Sequence, residues 1–291
     1  MKFQNKIEFL LLKFLTKILC IPGIKKIPET AKLLSLFLYY FVPLRKNIIR
    51  KNFKIAFPDI SEDELKNYTK KIYYSLSITL VELFCFFKFH KETLLNLVRI
   101  DNLEMIQQIL NKKKGLIFLT AHFGNWELSV TAMRLYLNKT IHVLAKPQRN
   151  DLVFAWLNSM RETYGNKVVP LGSSVKEIYK VLKENGIVGV VGDQRGHPDG
   201  MRVKFFNRDT AVYPGAASFA IKLNKPVLFA LMIRSGDFKY NLIVEQIPIE
   251  TFEGTTEEKV RQINQFYMSR LEHYIKKYPE QWFWMHNIWK Y

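Results

Sequence analysis

A chain of 291 residues, 48% hydrophobic and 24% charged, carries enough apolar material for a sizeable core, which excludes a disordered chain. Its 44 Lys and Arg outnumber 26 Asp and Glu by 18, a balance that favours anionic partners such as nucleic acid, acidic proteins or anionic lipid headgroups. The two cysteines, Cys20 and Cys85, form no C-x-x-C pair, so the sequence indicates neither a zinc site nor a disulfide framework, and a reducing cytoplasmic face is the default.

In MKFQNKIEFLLLKFLTKILCIPG (1–23), Lys2, Lys6, Lys13 and Lys17 share a narrow arc at 100° per residue. Ile7, Leu10, Leu11, Phe14, Leu15 and Ile18 occupy much of the remaining surface. The stretch lacks the uninterrupted apolar centre and small-residue cleavage site of a signal peptide. Lys13 and Lys17 also break a run that needs ~20 apolar residues to span a bilayer. Two fates remain for the apolar face: packing on the core, or lying in a membrane interface, which the basic arc favours. AKLLSLFLYYFVPL (31–44) is too short to span and adds to the same patch. Residues 1–44 therefore read as membrane-associated helices, and 45–291 as a single α/β domain.

The spacing predicts helix through most of residues 1–112. Ser61 and Glu64 form a capping box at the head of 61–87, and Asp101 suits the N-cap of 102–112. From residue 115 the period changes. GLIFLTA (115–121), IHVLA (141–145), KVVPL (167–171), GIVGVVG (186–192) and KPVLFALMI (225–233) read as buried strands. Helical patterns at about 126–137, 150–164, 174–185 and 214–224 separate them. That alternation predicts an α/β fold with a mostly parallel central sheet and flanking helices, behind an all-helical N-terminal layer. Residues 256–278 return to helix, and PEQWFWMHNIWKY closes the chain as a packed aromatic helix.

AHFGNWE (121–127) stands at the end of the first strand, where ligands of open α/β sheets gather. Gly124 permits a sharp turn, and Asn125 is a good N-cap for a helix from Trp126. That helix start supplies unpaired amides for a developing oxyanion. Glu127 can fold back to His122, fix its tautomer and raise its basicity, which suits the imidazole to take a proton from a hydroxyl. No Ser or Cys lies near enough in sequence to act as an obvious nucleophile, so direct transfer suits the pair better than a covalent intermediate. His142 reads as structural, His197 and Asp199 as a turn, and His286 as part of the aromatic packing. An apolar tunnel near His122 is needed if the substrate is a fatty chain.

AHFGNWE resembles the H-x-x-x-x-D/E signature of glycerolipid acyltransferases, in the H-F-x-x-W-E form of the lipid A biosynthesis acyltransferase family (late, secondary lauroyl/myristoyl type). AKPQRNDLVFAWLNSMRETYG (145–165), GVVGDQRGHPDGMRVKFFNRDTAVYPGAASFA (189–220), YPEQWFWMHNIWK (278–290) and RKNIIRKNFKIAFPDISEDE (45–64) resemble further blocks of that family. The resemblance runs from about residue 45 to 290. It implies His122 and Glu127 as the catalytic dyad. Arg161 and Asp193 match residues supporting the site, with Lys146 and Asn125 as further substrate-binding or supporting positions. Lys146 replaces the usual Arg, which keeps the charge and loses the bidentate fork. Asn207 replaces a Gly after Phe205-Phe206, and Tyr213-Pro-Gly-Ala departs from the usual T-x-x-G-P-A.

The resemblance further implies no cofactor and no metal. It implies an acyl carrier protein as donor, a phosphorylated saccharolipid bearing 3-hydroxyacyl chains as acceptor, and a peripheral place on the cytoplasmic face of the cell inner membrane. The alternative within enzymes is acylation of another membrane glycolipid or a lysophospholipid, with acyl-CoA as donor. No helix-turn-helix, zinc or RNA-recognition motif supports a nucleic-acid partner.

Overall fold

The computed structural model describes residues 2–172, 174–236 and 238–290. Helices dominate as far as Asn111: α1 (Lys2–Leu19), α2 (Ile27–Tyr40), α3 (Lys46–Ala56), α4 (Glu62–Phe84), α5 (Lys91–Leu97) and α6 (Leu103–Asn111). The capping box at Ser61 and Glu64 is formed at the head of α4. A short strand, β1 (Val98–Ile100), interrupts this series. It also displaces the expected cap: Asn102, not Asp101, sits at the N-cap of α6, in a left-handed conformation. Asp101 instead donates its amide to Leu242 O at 2.9 Å, closing the sheet edge.

Strands and helices then alternate: β2 (Leu116–Thr120), α7 (Trp126–Leu137), β3 (Ile141–Ala145), α8 (Asp151–Glu162), β4 (Lys167–Pro170), α9 (Ser174–Lys183) and β5 (Ile187–Val191). A hairpin of β6 (Arg202–Phe205) and β7 (Arg208–Ala211) follows. Phe206 and Asn207 turn it at φ 50° and 58°, the paired positive angles that a two-residue hairpin turn demands. The chain continues through α10 (Gly215–Leu223), β8 (Val227–Arg234), β9 (Tyr240–Gln246) and α11 (Thr256–Lys277).

Seven strands form one sheet in the order β1-β9-β8-β2-β5-β3-β4, parallel from β8 to β4. β9 is antiparallel to β8, and β1 runs parallel to β9. β2 is buried along its whole length, as expected of a strand covered on both faces. Its side chains alternate between two cores, Ile117 and Leu119 on one face, Leu116 and Phe118 on the other.

Helix α1 turns a mixed polar and apolar face inward and leaves much of its apolar surface outside. Asn5, Glu8, Phe9, Leu12 and Thr16 of α1 are half-buried, whereas Leu10, Leu11 and Phe14 are exposed. Asn150, at the head of α8, donates its amide to Asn5 O (2.9 Å) and Glu8 (3.1 Å), and Arg149 pairs with Glu8 at 2.8 Å. Lys6, Lys13 and Lys17 are exposed; the side chain of Lys2 lies outside the described residues. No described helix is long and apolar enough to cross a membrane.

Two expectations are corrected here. Cys20 and Cys85 form a disulfide, with Cα atoms 5.5 Å apart. Their separation of 65 positions hid the pairing; it arises because the end of α1 meets the end of α4. The last residues are also not a helix. After a single turn at Pro279–Gln281 the chain is extended at Trp282, which bridges Phe123 of the β2–α7 loop, and then closes in turns. Gly124 N donates to Gln281 O at 2.9 Å and Phe283 N to His122 O at 3.0 Å, pairings that need an extended backbone at these positions.

Candidate active site

β2 and β5 are parallel neighbours in the register Thr120↔Val191. Two residues beyond each of those positions stand His122 and Asp193, so strand register alone carries the pair together. His122 Nδ1 lies 2.7 Å from Asp193 Oδ1. Asp193 Oδ2 accepts from His122 N and from Trp282 Nε1, each at 2.9 Å. The imidazole is held edge-on by Trp126, with centroids 5.1 Å apart, and tilted against Phe283 at 5.9 Å. With Nδ1 on the carboxylate, Nε2 is the nitrogen free to take a proton.

Burial pulls the His122 pKa down, but the charge and hydrogen bond of Asp193, helped by Glu127, outweigh it and leave it above the usual histidine value. Burial pushes Asp193 up. The His122 charge and hydrogen bonds, with the Trp282 N–H, more than offset this and hold its carboxyl below the ordinary range.

Glu127 does not take the place the sequence suggested. It stands in the first turn of α7 and receives both arms of Arg161, from the last turn of α8, at 2.8 and 2.6 Å. Each charge sits at the helix end that favours it, and the two-pronged geometry suits a guanidinium–carboxylate pair. Asp193 holds the histidine because its strand is in register with β2; Glu127 is bonded to Arg161, and its charge helps raise the His122 pKa.

Asn125 caps α7 as expected, its Oδ1 accepting from Leu128 N at 3.0 Å. Gly124 has φ +53°, and a Cβ there would lie 2.2 Å from Met232 O, so the turn admits glycine alone. The amides of Trp126 and Glu127 have no intrahelical acceptor.

His122, Glu127 and Arg161 border a cavity of about 180 Å³. Phe118, Val130, Met133, Val143 and Val190 are among its apolar lining, and Lys146, Gln148 and Gln194 among its polar lining. All six sequence-predicted site residues are thus placed: five at the strand and helix ends around His122, and Lys146 on the cavity wall. Trp282 was missed as a site residue, since its contact with Asp193 spans 89 positions in sequence. His286 does not join the site: its Nε2 accepts from Arg195 N at 2.9 Å, tying the β5 loop to the chain's end. His197 and Asp199 lie in an exposed turn, 3.6 Å apart.

Comparison with known proteins gives the class of enzyme to which this arrangement belongs: the chain is an acyltransferase. It belongs to the bacterial lipid A biosynthesis acyltransferase family, whose model matches residues 2–291. The chain is 21% identical over 253 residues to the lipid A biosynthesis palmitoleoyltransferase of Escherichia coli (strain K12). It is 23% identical over 257 residues to the lipid A biosynthesis lauroyltransferase of the same strain. Each match covers 86% of this chain and 80% of the relative.

Proposed function

We propose that the chain moves a fatty acyl group from an acyl carrier protein thioester to the hydroxyl of a 3-hydroxyacyl chain on a lipid A precursor. The observation that carries this reading is the Asp193-bound imidazole on the wall of a cavity lined largely by apolar side chains, with Lys146 among its polar ones. His122 Nε2 takes the acceptor's hydroxyl proton as the oxygen attacks the thioester carbonyl. Asp193 stabilises the imidazolium that results. The first-turn amides of α7 and the Lys146 charge stabilise the oxyanion. On collapse the carrier's sulfur leaves and takes the proton from Nε2, so no acyl-enzyme is formed. Arg161 fixes the Glu127 carboxylate near the imidazolium, and the apolar lining receives the hydrocarbon.

The donor assignment rests on the family and on the +18 charge, which attracts an acidic carrier over the ~8–10 Å that salt leaves unscreened. Assays with both donors at matched chain length, on a phosphorylated saccharolipid in vesicles, test it. The carrier-bound donor is expected to outpace acyl-CoA, with an apparent KM that rises steeply with salt. Equal use of both donors without salt dependence contradicts the assignment.

We place the enzyme on the cytoplasmic face of the inner membrane, held by α1, α2 and the residues after them. Fifteen of the twenty exposed large hydrophobic side chains among the described residues fall within residues 3–44. An apolar patch of that kind beside exposed lysines suits an anionic bilayer surface. Cys20 and Cys85 are both buried, which shields the disulfide from the thiols of that compartment. Changing Leu10, Leu11 and Phe14 together to Glu is expected to weaken binding to anionic vesicles at least tenfold, since each apolar side chain is worth ~1.5–3 kcal/mol on burial. Unchanged sedimentation with vesicles would show that another surface holds the protein.

A further inference from the structure

A second set of charged groups lies beneath the His122–Glu127 turn, and the proposed reaction does not use it. Glu82, on α4, is 3% exposed. Its Oε2 accepts from Asn125 Nδ2 at 2.8 Å, and its Oε1 accepts from the Tyr240 hydroxyl. Arg234, at the end of β8, donates from Nε to the same hydroxyl at 3.1 Å. Its Nη2 donates to Thr79 Oγ1 at 3.0 Å, and that hydroxyl donates to Gly124 O at 2.8 Å. The Arg234 backbone exchanges two hydrogen bonds with the Gln281 side chain (2.8 and 3.0 Å), and Gln281 O receives Gly124 N.

Three chains of contacts therefore converge on two consecutive residues of the turn: the Asn125 side chain, the Gly124 carbonyl and the Gly124 amide. Burying a carboxylate and a guanidinium costs several kcal/mol per ion, and well-packed apolar side chains often match or exceed the stability of such a pair. Folding alone is thus a weak reason for this group to stand here. The contacts supply orientation. Glu82 decides which way the Asn125 amide faces, nitrogen toward itself and oxygen toward Leu128 N, and that choice sets the first turn of α7, where Glu127 stands. Arg234 reaches Gly124, two residues after His122, through Thr79 at its carbonyl and through Gln281 at its amide.

We propose that Glu82, with Arg234 and Tyr240, is a positioning group for acyl transfer, acting through Asn125 and Gly124 on the placing of His122 and Glu127. The proposal rests on the function given above.

The test is Glu82→Gln alone and combined with Asn125→Asp, measured with saturating donor and acceptor. The single change sets two amide nitrogens against each other or against the Tyr240 hydroxyl. It is expected to lower kcat at least tenfold while each KM stays within about twofold. The pair of changes exchanges carboxylate and amide across one hydrogen bond, keeps the net charge and keeps an N-cap oxygen, so kcat should recover to within a few-fold of wild type. Tyr240→Phe, which removes only the hydroxyl between Glu82 and Arg234, should show the same kcat–KM split in smaller measure, and it decides the matter if Glu82→Gln does not fold. A Glu82→Gln protein with a lowered melting temperature and wild-type kcat overturns the proposal, as does a double variant that folds without recovering kcat. Absence of transfer by the wild type would instead overturn the functional reading on which the proposal rests.

Discussion

Replacing His122 with alanine is expected to remove acyl transfer while leaving the fold in place. A positioned general base contributes about 10²–10⁴-fold in rate, and no other imidazole reaches the cavity wall to take over. The loss to stability is smaller. Asp193 keeps two of its three donors, His122 N and Trp282 Nε1, so its buried carboxylate is not abandoned. Losing the third costs on the order of 1–3 kcal/mol. A circular dichroism spectrum and melting transition near those of wild type, with no acylated product by mass spectrometry, is the expected pair of results. Normal turnover by the purified variant would end the general-base account.

Asp193→Asn has an effect of similar size and a distinctive pH signature. The carboxylate accepts three donors; an amide offers one oxygen and turns an NH₂ toward at least one of them. The imidazole then loses its fixed tautomer and the charge that stabilises its protonated form, and kcat should fall by roughly 10²–10⁴. The sign of the pH shift follows from the same contacts. The proposed mechanism needs neutral His122, so wild-type kcat is expected to rise with pH through the imidazole pKa, which Asp193 holds above the usual value of about 6.5. In the variant the opposing effect of burial remains and the carboxylate's charge is gone. The rising limb should therefore move to lower pH even as the plateau drops. A limb that stays in place would assign the titration to another group.

Much of this molecule was legible before its coordinates. Continuous apolar runs at 115–121 and 186–192 marked strands buried on both faces, and helix periodicity between them implied a parallel sheet. β9 escaped notice because YNLIVEQ alternates rather than running apolar, as suits an antiparallel strand beyond the parallel set. β6 and β7 escaped because four-residue strands carry little periodicity.

Within the site, His122, Gly124 and Asn125 were readable from local chemistry, since a strand end, a turn and a helix cap are neighbours in sequence. The partner of His122 was not. Glu127 is five residues away and Asp193 seventy-one, yet parallel register decides for Asp193. Register between strands that are not consecutive has no local signal. The same holds for Trp282, for the Cys20–Cys85 bond and for Glu82, each of which joins distant segments through tertiary packing.

If Asp193 poises His122 as the base, a ¹⁵N NMR titration of the His122 ring in wild type and Asp193→Asn will show it. In the wild type the neutral ring should carry its proton on Nδ1 and titrate above the ordinary histidine value, with the midpoint falling in the variant. A neutral ring protonated on Nε2, or a midpoint indifferent to Asp193→Asn, would contradict the account.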